Sequence, residues 1–191
     1  MIINIRGTNG SGKSFIARTL IEQEETFLKR VRLCTREGPM GPEGGILAYS
    51  LPRLKLTIIG PYDTDCGGCD AIKTQDEVCA AVMEAAGRTK HVLYEGVIVS
   101  TLYSRYRALA EKLRERDKGP VIWAYMDTPL DLCLTRIQNR NGGKLIKTEL
   151  VADKVKAVES TRLKALAAGE FVMSLDHRSQ TAIEQIREKL R

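Results

Sequence analysis

Short apolar runs and stretches of helical spacing take turns along this chain, the pattern of an α/β protein. The first run, Met1-Ile2-Ile3-Asn4-Ile5, suits a strand buried in a parallel sheet. Residues 14–27 follow, with Phe15, Ile16, Leu20 and Phe27 at helical spacing. Residues 30–34 read as a second strand. Residues 35–45 carry Gly38-Pro39, Gly41-Pro42 and Gly44-Gly45 and predict a mobile loop. Residues 46–49 and 54–59 flank Ser50-Leu51-Pro52-Arg53 and predict a hairpin insertion, about residues 44–59, whose second arm joins the main sheet.

The alternation continues. A helix is predicted over 74–87 with Val78, Val82 and Met83 inward, then a buried strand Val92-Leu93-Tyr94, then a basic helix over 102–118. Val121-Ile122-Trp123-Ala124-Tyr125-Met126 is another strand, followed by a helix that Pro129 opens and Asp127 or Thr128 caps. That helix stops at Asn141-Gly142-Gly143-Lys144. A helix over 149–168, a strand over 171–175 and a helix over 182–190 complete the chain.

The 191 residues are most simply one domain with a substantial core. No apolar segment has the length of a membrane span and no leader precedes the first strand, so a cytoplasmic location is expected. The formal charge of +6 fits polyanionic partners and equally a small anionic substrate. Five cysteines, an odd number, predict reduced thiols. Cys66 and Cys69 have C-x-x-C spacing, but a zinc site needs two further ligands, and only His91 and His177 are at hand.

The chemistry starts at Gly7-Thr8-Asn9-Gly10-Ser11-Gly12-Lys13-Ser14, which fits the phosphate-binding pattern G-x-x-x-x-G-K-[ST] between a strand and a helix. Glycines let the backbone wrap a polyphosphate so that amide N–H groups and the positive helix end face the anion. Lys13 would reach the β- and γ-phosphates, and Ser14 would give its hydroxyl to Mg²⁺. A second candidate site is the acidic, glycine-bearing loop from Tyr62 to Asp70, at the carboxyl end of a strand. Glu95 ends the next strand, where a carboxylate can orient Mg²⁺ or take a proton from the acceptor. Tyr103, Arg105 and Arg107 begin the basic helix just beyond it. Arg136 and Arg140, four apart and followed by a glycine hinge, predict a lid over about 136–148 that closes on the nucleotide. The loop Asp176-His177-Arg178-Ser179 would border the adenine.

The ordered set Ile5-Arg6-Gly7-Thr8 with the loop, Gly60-Pro61-Tyr62-Asp63 with Cys66-Gly67-Gly68-Cys69-Asp70-Ala71-Ile72, Tyr94-Glu95-Gly96, and Asp127-Thr128-Pro129-Leu130 with Cys133 and Arg136 resembles a group of bacteriophage phosphate-loop kinases. The group is thymidylate-kinase-like and includes the 5-hydroxymethyluracil DNA kinases. True thymidylate kinases carry Asp-Arg where this chain has Glu95-Gly96. The resemblance implies a three-layer α/β/α fold on a five-stranded parallel sheet of the nucleoside and nucleotide kinase type. It also implies transfer of the γ-phosphoryl group of ATP, with Mg²⁺, to the hydroxymethyl oxygen of 5-hydroxymethyluracil in phage DNA. On this reading Lys13, Ser14 and the loop amides hold ATP, Arg136 and Arg140 close on it, and Asp63 is the first choice of general base. Glu95 serves the metal, the two roles being exchangeable. Tyr62 and Tyr103 would stack on the acceptor base, Asp70 would bond its edge, and Asp65, Gly68, Arg105 and Arg107 would complete the acceptor side. A kinase of free nucleosides or deoxynucleoside monophosphates shares every motif, and an ATP-gated binding module shares the loop. The oligomeric state is open.

Overall fold

Strand β1 (Ile2–Arg6) is buried along its whole length. It pairs in parallel with β7 (His91–Glu95) on one side and β8 (Val121–Asp127) on the other. The protein is represented by a computed structural model that describes residues 1–34, 36–38, 41–63, 67–144 and 146–191, with backbone alone at 36–38 and 41–43. Helix α1 (Lys13–Gln23) leaves the loop after β1; β2 (Lys29–Leu33), β3 (Arg36–Gly38), β4 (Gly41–Glu43), β5 (Ile46–Leu51) and β6 (Leu56–Ile59) follow. Helix α2 (Gln75–Arg88) precedes β7. Helices α3 (Val97–Thr101) and α4 (Tyr103–Glu115) lead to β8, and α5 (Leu130–Arg140), α6 (Thr148–Ala167), β9 (Phe171–Asp176) and α7 (Ser179–Lys189) end the chain.

The main sheet has the order β2-β5-β6-β7-β1-β8-β9. The expected five-stranded parallel sheet is therefore corrected to a mixed sheet of seven strands. Strands β6, β7, β1, β8 and β9 run parallel, while β5 is antiparallel to β6 and β2 antiparallel to β5. The short β5–β6 connection dictates the antiparallel pairing, since a parallel pair needs a long crossover. Both arms of that hairpin and β2 extend the main sheet instead of standing apart from it. The glycine- and proline-rich stretch expected as an open loop contains a small two-stranded ladder, β3 with β4; Thr35, Pro39 and Met40 lie outside the described residues.

The two faces of β1 go to separate cores, as its alternating side chains require. Ile3 and Ile5 pack with Ile16 and Leu20 of α1 and Ile183 and Ile186 of α7. Ile2 packs on the other face with Val78 and Val82 of α2, Leu109 and Leu113 of α4 and Val158 of α6. The carboxyl ends of the parallel strands consequently share one edge, from which the loops after β1, β6, β7, β8 and β9 emerge. Among the described residues no helix is long and apolar enough to cross a membrane.

Thr74 caps α2 through a reciprocal box, accepting from Glu77 N at 3.2 Å while Glu77 accepts from Thr74 N at 2.9 Å. The expected cap of α5 by Asp127 or Thr128 is not made: Pro129 holds the cap position, and Thr128 Oγ1 donates to Ser11 O at 2.8 Å. At the opposite end of the sheet, burial, the Met1 amino group, Lys90 and Lys55 push the His91 pKa down from 6.5 to about 4. The unfolded chain therefore takes up this proton first, and stability should fall as pH drops from about 6.5 towards 4, with no contribution above that window. Denaturant midpoints measured across the window should show a flatter acid limb for His91→Gln.

Candidate active site

The turn between β1 and α1 bends where glycine is required. Gly10 has φ +75°, and a Cβ there would lie 2.4 Å from the carbonyl oxygen of Cys133 in α5. Gly12, with φ +103°, takes the cap position of α1. Several carbonyls of this loop are held by neighbours. Thr8 O accepts from Ser11 Oγ at 2.8 Å and Lys13 Nζ at 2.9 Å, and Arg136 Nη1 reaches Gly10 O at 3.3 Å and Ser11 O at 3.4 Å. The same guanidinium donates through Nη2 to His177 O at 3.3 Å, so Arg136 ties α5 and the loop after β9 to the phosphate loop. Lys154 of α6 adds a contact to Asn9 Oδ1 at 3.1 Å.

These elements surround a cleft of about 590 Å³, within the range of small-ligand pockets. Asn9, Gly10, Gly12, Lys13 and Ser14 form one side, with Arg18, Arg136, Arg140 and Lys154 around them. Gly67, Asp70, Glu95, Val97, Ile98 and Thr101 form the other, and Phe15, half exposed, projects between. Glu95 is 1% exposed; its Oε1 accepts from Ser14 Oγ at 2.9 Å and from Tyr62 Oη at 3.3 Å. Burial pulls the Glu95 pKa up and the Lys13 pKa down, and each opposes the shift of the other through its charge. Burial and the adjacent Glu95 raise the Tyr62 pKa, which keeps its hydroxyl a donor. Gly68, at φ +74°, passes so close to Glu95 that a Cβ would meet Oε1 at 2.2 Å.

Helix α3 forms the wall opposite the loop, although Val97-Ile98-Val99 is poor helix sequence. Asp70 holds it: its carboxylate accepts from Val97 N at 2.6 Å and from Ile98 N at 3.1 Å. Arg6, directly before the phosphate loop, holds the middle of α3. Its guanidinium is fully buried, lies 4.4 Å from the Trp123 ring centroid with Tyr106 and Tyr125 at 5.9 and 5.7 Å, and donates to Val99 O at 2.7 Å. Ser100 Oγ accepts from Gly7 N at 2.9 Å and donates to Gly96 O at 2.5 Å. The root of the loop and the facing wall are thus one hydrogen-bonded unit.

The family model described as 5-hmdU DNA kinase matches residues 1–186. The chain belongs to the 5-hmdU DNA kinase family. A protein of Pseudomonas phage M6 described by that name is 39% identical over 193 residues, covering 97% of this chain and 95% of its own. Another from Pseudomonas phage PaMx11 is 33% identical over 92% of this chain and 90% of its own, and one from Salmonella phage ViI, "5-hmdU DNA kinase 1", 31% over 85% and 70%. Among solved structures, deoxyadenosine kinase from M. mycoides with dCMP and dCDP bound is similar in fold, with a TM-score of 0.51 at 17% identity over 100% of this chain and 98% of that one.

Within this 5-hmdU DNA kinase family member, the residues singled out in sequence are not all in the cleft. Lys13, Ser14, Asp70, Glu95, Arg136 and Arg140 line it. Asp63 does not; its Oδ1 accepts from Arg30 Nη2 at 2.8 Å and Tyr49 Oη at 3.2 Å. Tyr62 cannot offer a stacking face, because its ring is buried against Tyr49 with centroids 6.0 Å apart. Tyr103 packs on Trp123 at 5.5 Å, Arg105 pairs with Asp76 and Arg107 with Glu111 at 3.1 Å, all outside the cleft. The reason is α3, an element the sequence reading lacks: it occupies the cleft edge and sets the start of α4 behind itself. Asp70 lines the cleft and caps α3 with both carboxylate oxygens. Asp65 and Cys66 lie outside the described residues. Cys69 is fully buried, and burial raises its thiol pKa well above the ordinary value, so it packs as a small apolar side chain.

Arg6, Phe15, Arg18, Ile98 and Lys154 are cleft or support residues to which the sequence reading gave no role in the site. Arg6→Lys keeps the charge but loses the planar fork, and should lower stability by about 1–3 kcal/mol. It should also raise the KM for the phosphoryl acceptor more than that for the nucleotide, since Arg6 anchors α3, whose Val97, Ile98 and Thr101 line the cleft opposite the phosphate loop; thermal melts and steady-state kinetics check the two effects.

Proposed function

We propose that this kinase transfers the γ-phosphoryl group of ATP to the hydroxymethyl oxygen of 5-hydroxymethyluracil within phage DNA. The observation that carries the reading is the cleft, in which a phosphate loop with its buried lysine faces a strand-terminal carboxylate and a partly apolar wall. Membership of the family and the names of its phage relatives supply the acceptor. A pocket of this size admits a nucleobase and not a duplex, so the target base leaves the stack to enter it.

Lys13 and the loop N–H groups bind the polyphosphate, and arrival of that negative charge favours the charged form of Lys13 that burial opposes. Arg140, exposed at the end of α5 ahead of Gly142 and Gly143, closes on the transferring group as the tip of the lid. Arg136 holds the loop in shape from behind. The Ser14 hydroxyl and the Glu95 carboxylate converge at 2.9 Å, a donor set of the kind that holds Mg²⁺ jointly with substrate phosphates. Bound there, the ion would neutralise charge on the phosphate oxygens. The acceptor hydroxyl oxygen forms a bond to the γ-phosphorus, its proton passes to Asp63, which has to leave Arg30 and turn towards the cleft to take it, and the bond to the bridging oxygen breaks to release ADP. Val97, Ile98 and Phe15 exclude water around the base.

A second reading gives the proton to Glu95, favoured by its burial within the cleft and its raised pKa. The two are separable by mutation. If Asp63 is the base, Asp63→Asn should keep ATP affinity and lose transfer by about a hundredfold or more, while Glu95→Gln should weaken Mg²⁺-dependent ATP binding. Transfer from γ-labelled ATP to hydroxymethyluracil DNA, with free nucleosides as the competing acceptors, measures the first; calorimetry with and without Mg²⁺ measures the second. Label entering only the free nucleosides would overturn the DNA reading.

A further inference from the structure

Strand β2 is an edge of the main sheet, and among the described residues no further strand pairs with its outer side. It presents Lys29, Arg30 and Arg32 to solvent and carries no acidic residue. Arg30 is set differently from its neighbours. Its Nη2 lies 2.8 Å from Asp63 Oδ1, and its guanidinium carbon lies 5.9 Å from the centroid of the Tyr49 ring. The Tyr49 hydroxyl accepts from Tyr62 N at 3.3 Å and donates to the same Asp63 oxygen at 3.2 Å. The corner that carries Asp63 is therefore pinned beside the one that sends Tyr62 to Glu95. Both members of the Arg30–Asp63 pair remain open to solvent, at 65% and 47% side-chain exposure. The cations that line the nucleotide cleft, Lys13, Arg18, Arg136, Arg140 and Lys154, belong to other elements.

We infer that Arg30 is a subsite for a backbone phosphodiester of the substrate strand, and that its engagement there releases Asp63 to receive the acceptor proton. The inference rests on the reading of Asp63 as the base. An exposed ion pair between two side chains is weak and easily exchanged. A phosphodiester presents two oxygens to the guanidinium fork, so exchanging one anion for another leaves Arg30 fully paired. Asp63 Oδ1, which accepts two hydrogen bonds in the closed pair, then keeps only that from Tyr49, and its carboxylate is released to turn towards the cleft, which it does not line while paired. Arg32, in phase with Arg30 on the same face of the strand, extends the positive track. The base would thus be freed when DNA is bound, and remain tied up when a small molecule without a backbone phosphate enters.

The test compares the full chain with Arg30→Gln on an oligonucleotide containing 5-hydroxymethyluracil and on free 5-hydroxymethyl-2′-deoxyuridine, at several salt concentrations. The variant should raise the KM for DNA by roughly tenfold and reduce the slope of log affinity against log salt by about 0.7–0.9, the loss of one phosphate contact. On the free nucleoside, which brings no phosphodiester, it should work several-fold faster than the parent. Arg30→Lys, which keeps the charge without the fork, should retain the salt slope and so separates loss of the contact from loss of fold. An unchanged DNA KM and salt slope would overturn the subsite, and an unchanged or slower nucleoside reaction would overturn the release. Asp63→Asn acting at the parental rate would instead remove the base assignment, leaving the salt slope of Arg30→Gln to judge the phosphate contact by itself.

Discussion

A backbone loop can bind a polyphosphate only if its carbonyl oxygens are satisfied elsewhere, because an exposed carbonyl beside the anion would repel it. The turn between β1 and α1 meets this constraint through side chains packed around it. Thr128 and Arg136 take the Ser11 carbonyl, Arg136 also takes Gly10, and Ser11 and Lys13 close on Thr8. Arg136 reaches that position because β8 lies next to β1 in the sheet and α5 follows β8 directly. The late part of the chain thereby shapes its first loop, and a side chain that sequence spacing assigns to the lid is partly a buttress.

The second dependency runs between the two halves of the cleft. Gly7 is bonded to Ser100, Arg6 to Val99 and Asp70 to the first turn of α3. Displacement of the phosphate loop is therefore felt by the opposite wall. Arg6 is a costly residue to bury, and the aromatic faces of Trp123, Tyr106 and Tyr125 offset part of that cost by cation–π attraction. A rigid frame of this kind suits a reaction in which positioning and electrostatics, more than covalent chemistry by the protein, lower the barrier.

The fold was legible where pattern and chemistry coincide. Each long strand and helix announces itself by its period, and the phosphate loop by glycines at fixed offsets next to Lys13 and Ser14. What escaped the sequence depends on contacts from afar. Val97 to Thr101 is rich in β-branched residues and becomes helical because Asp70 grips its first turn and Arg6 the carbonyl of Val99. That one helix sets Tyr103, Arg105 and Arg107 outside the cleft. Phe15 sits in the apolar stripe of α1 by spacing, yet Ile16, Ala17 and Leu20 fill the core and leave it to the cleft. The seven-stranded sheet was missed for a related reason: nothing local tells a strand that its partner is the edge of the main sheet instead of its own hairpin.

The central claim is that the loop after β1 offers the terminal phosphorus of a bound triphosphate to an alcohol held against α3 and Glu95. The most direct measurement is the mass of the modified nucleoside recovered after hydroxymethyluracil DNA is incubated with the enzyme, ATP and Mg²⁺ and then digested to nucleosides with the monoester left intact. The account predicts 5-hydroxymethyldeoxyuridine heavier by one phosphate, attached at the hydroxymethyl oxygen, with an equal amount of ADP formed. ADP formed while that nucleoside keeps its original mass would contradict it.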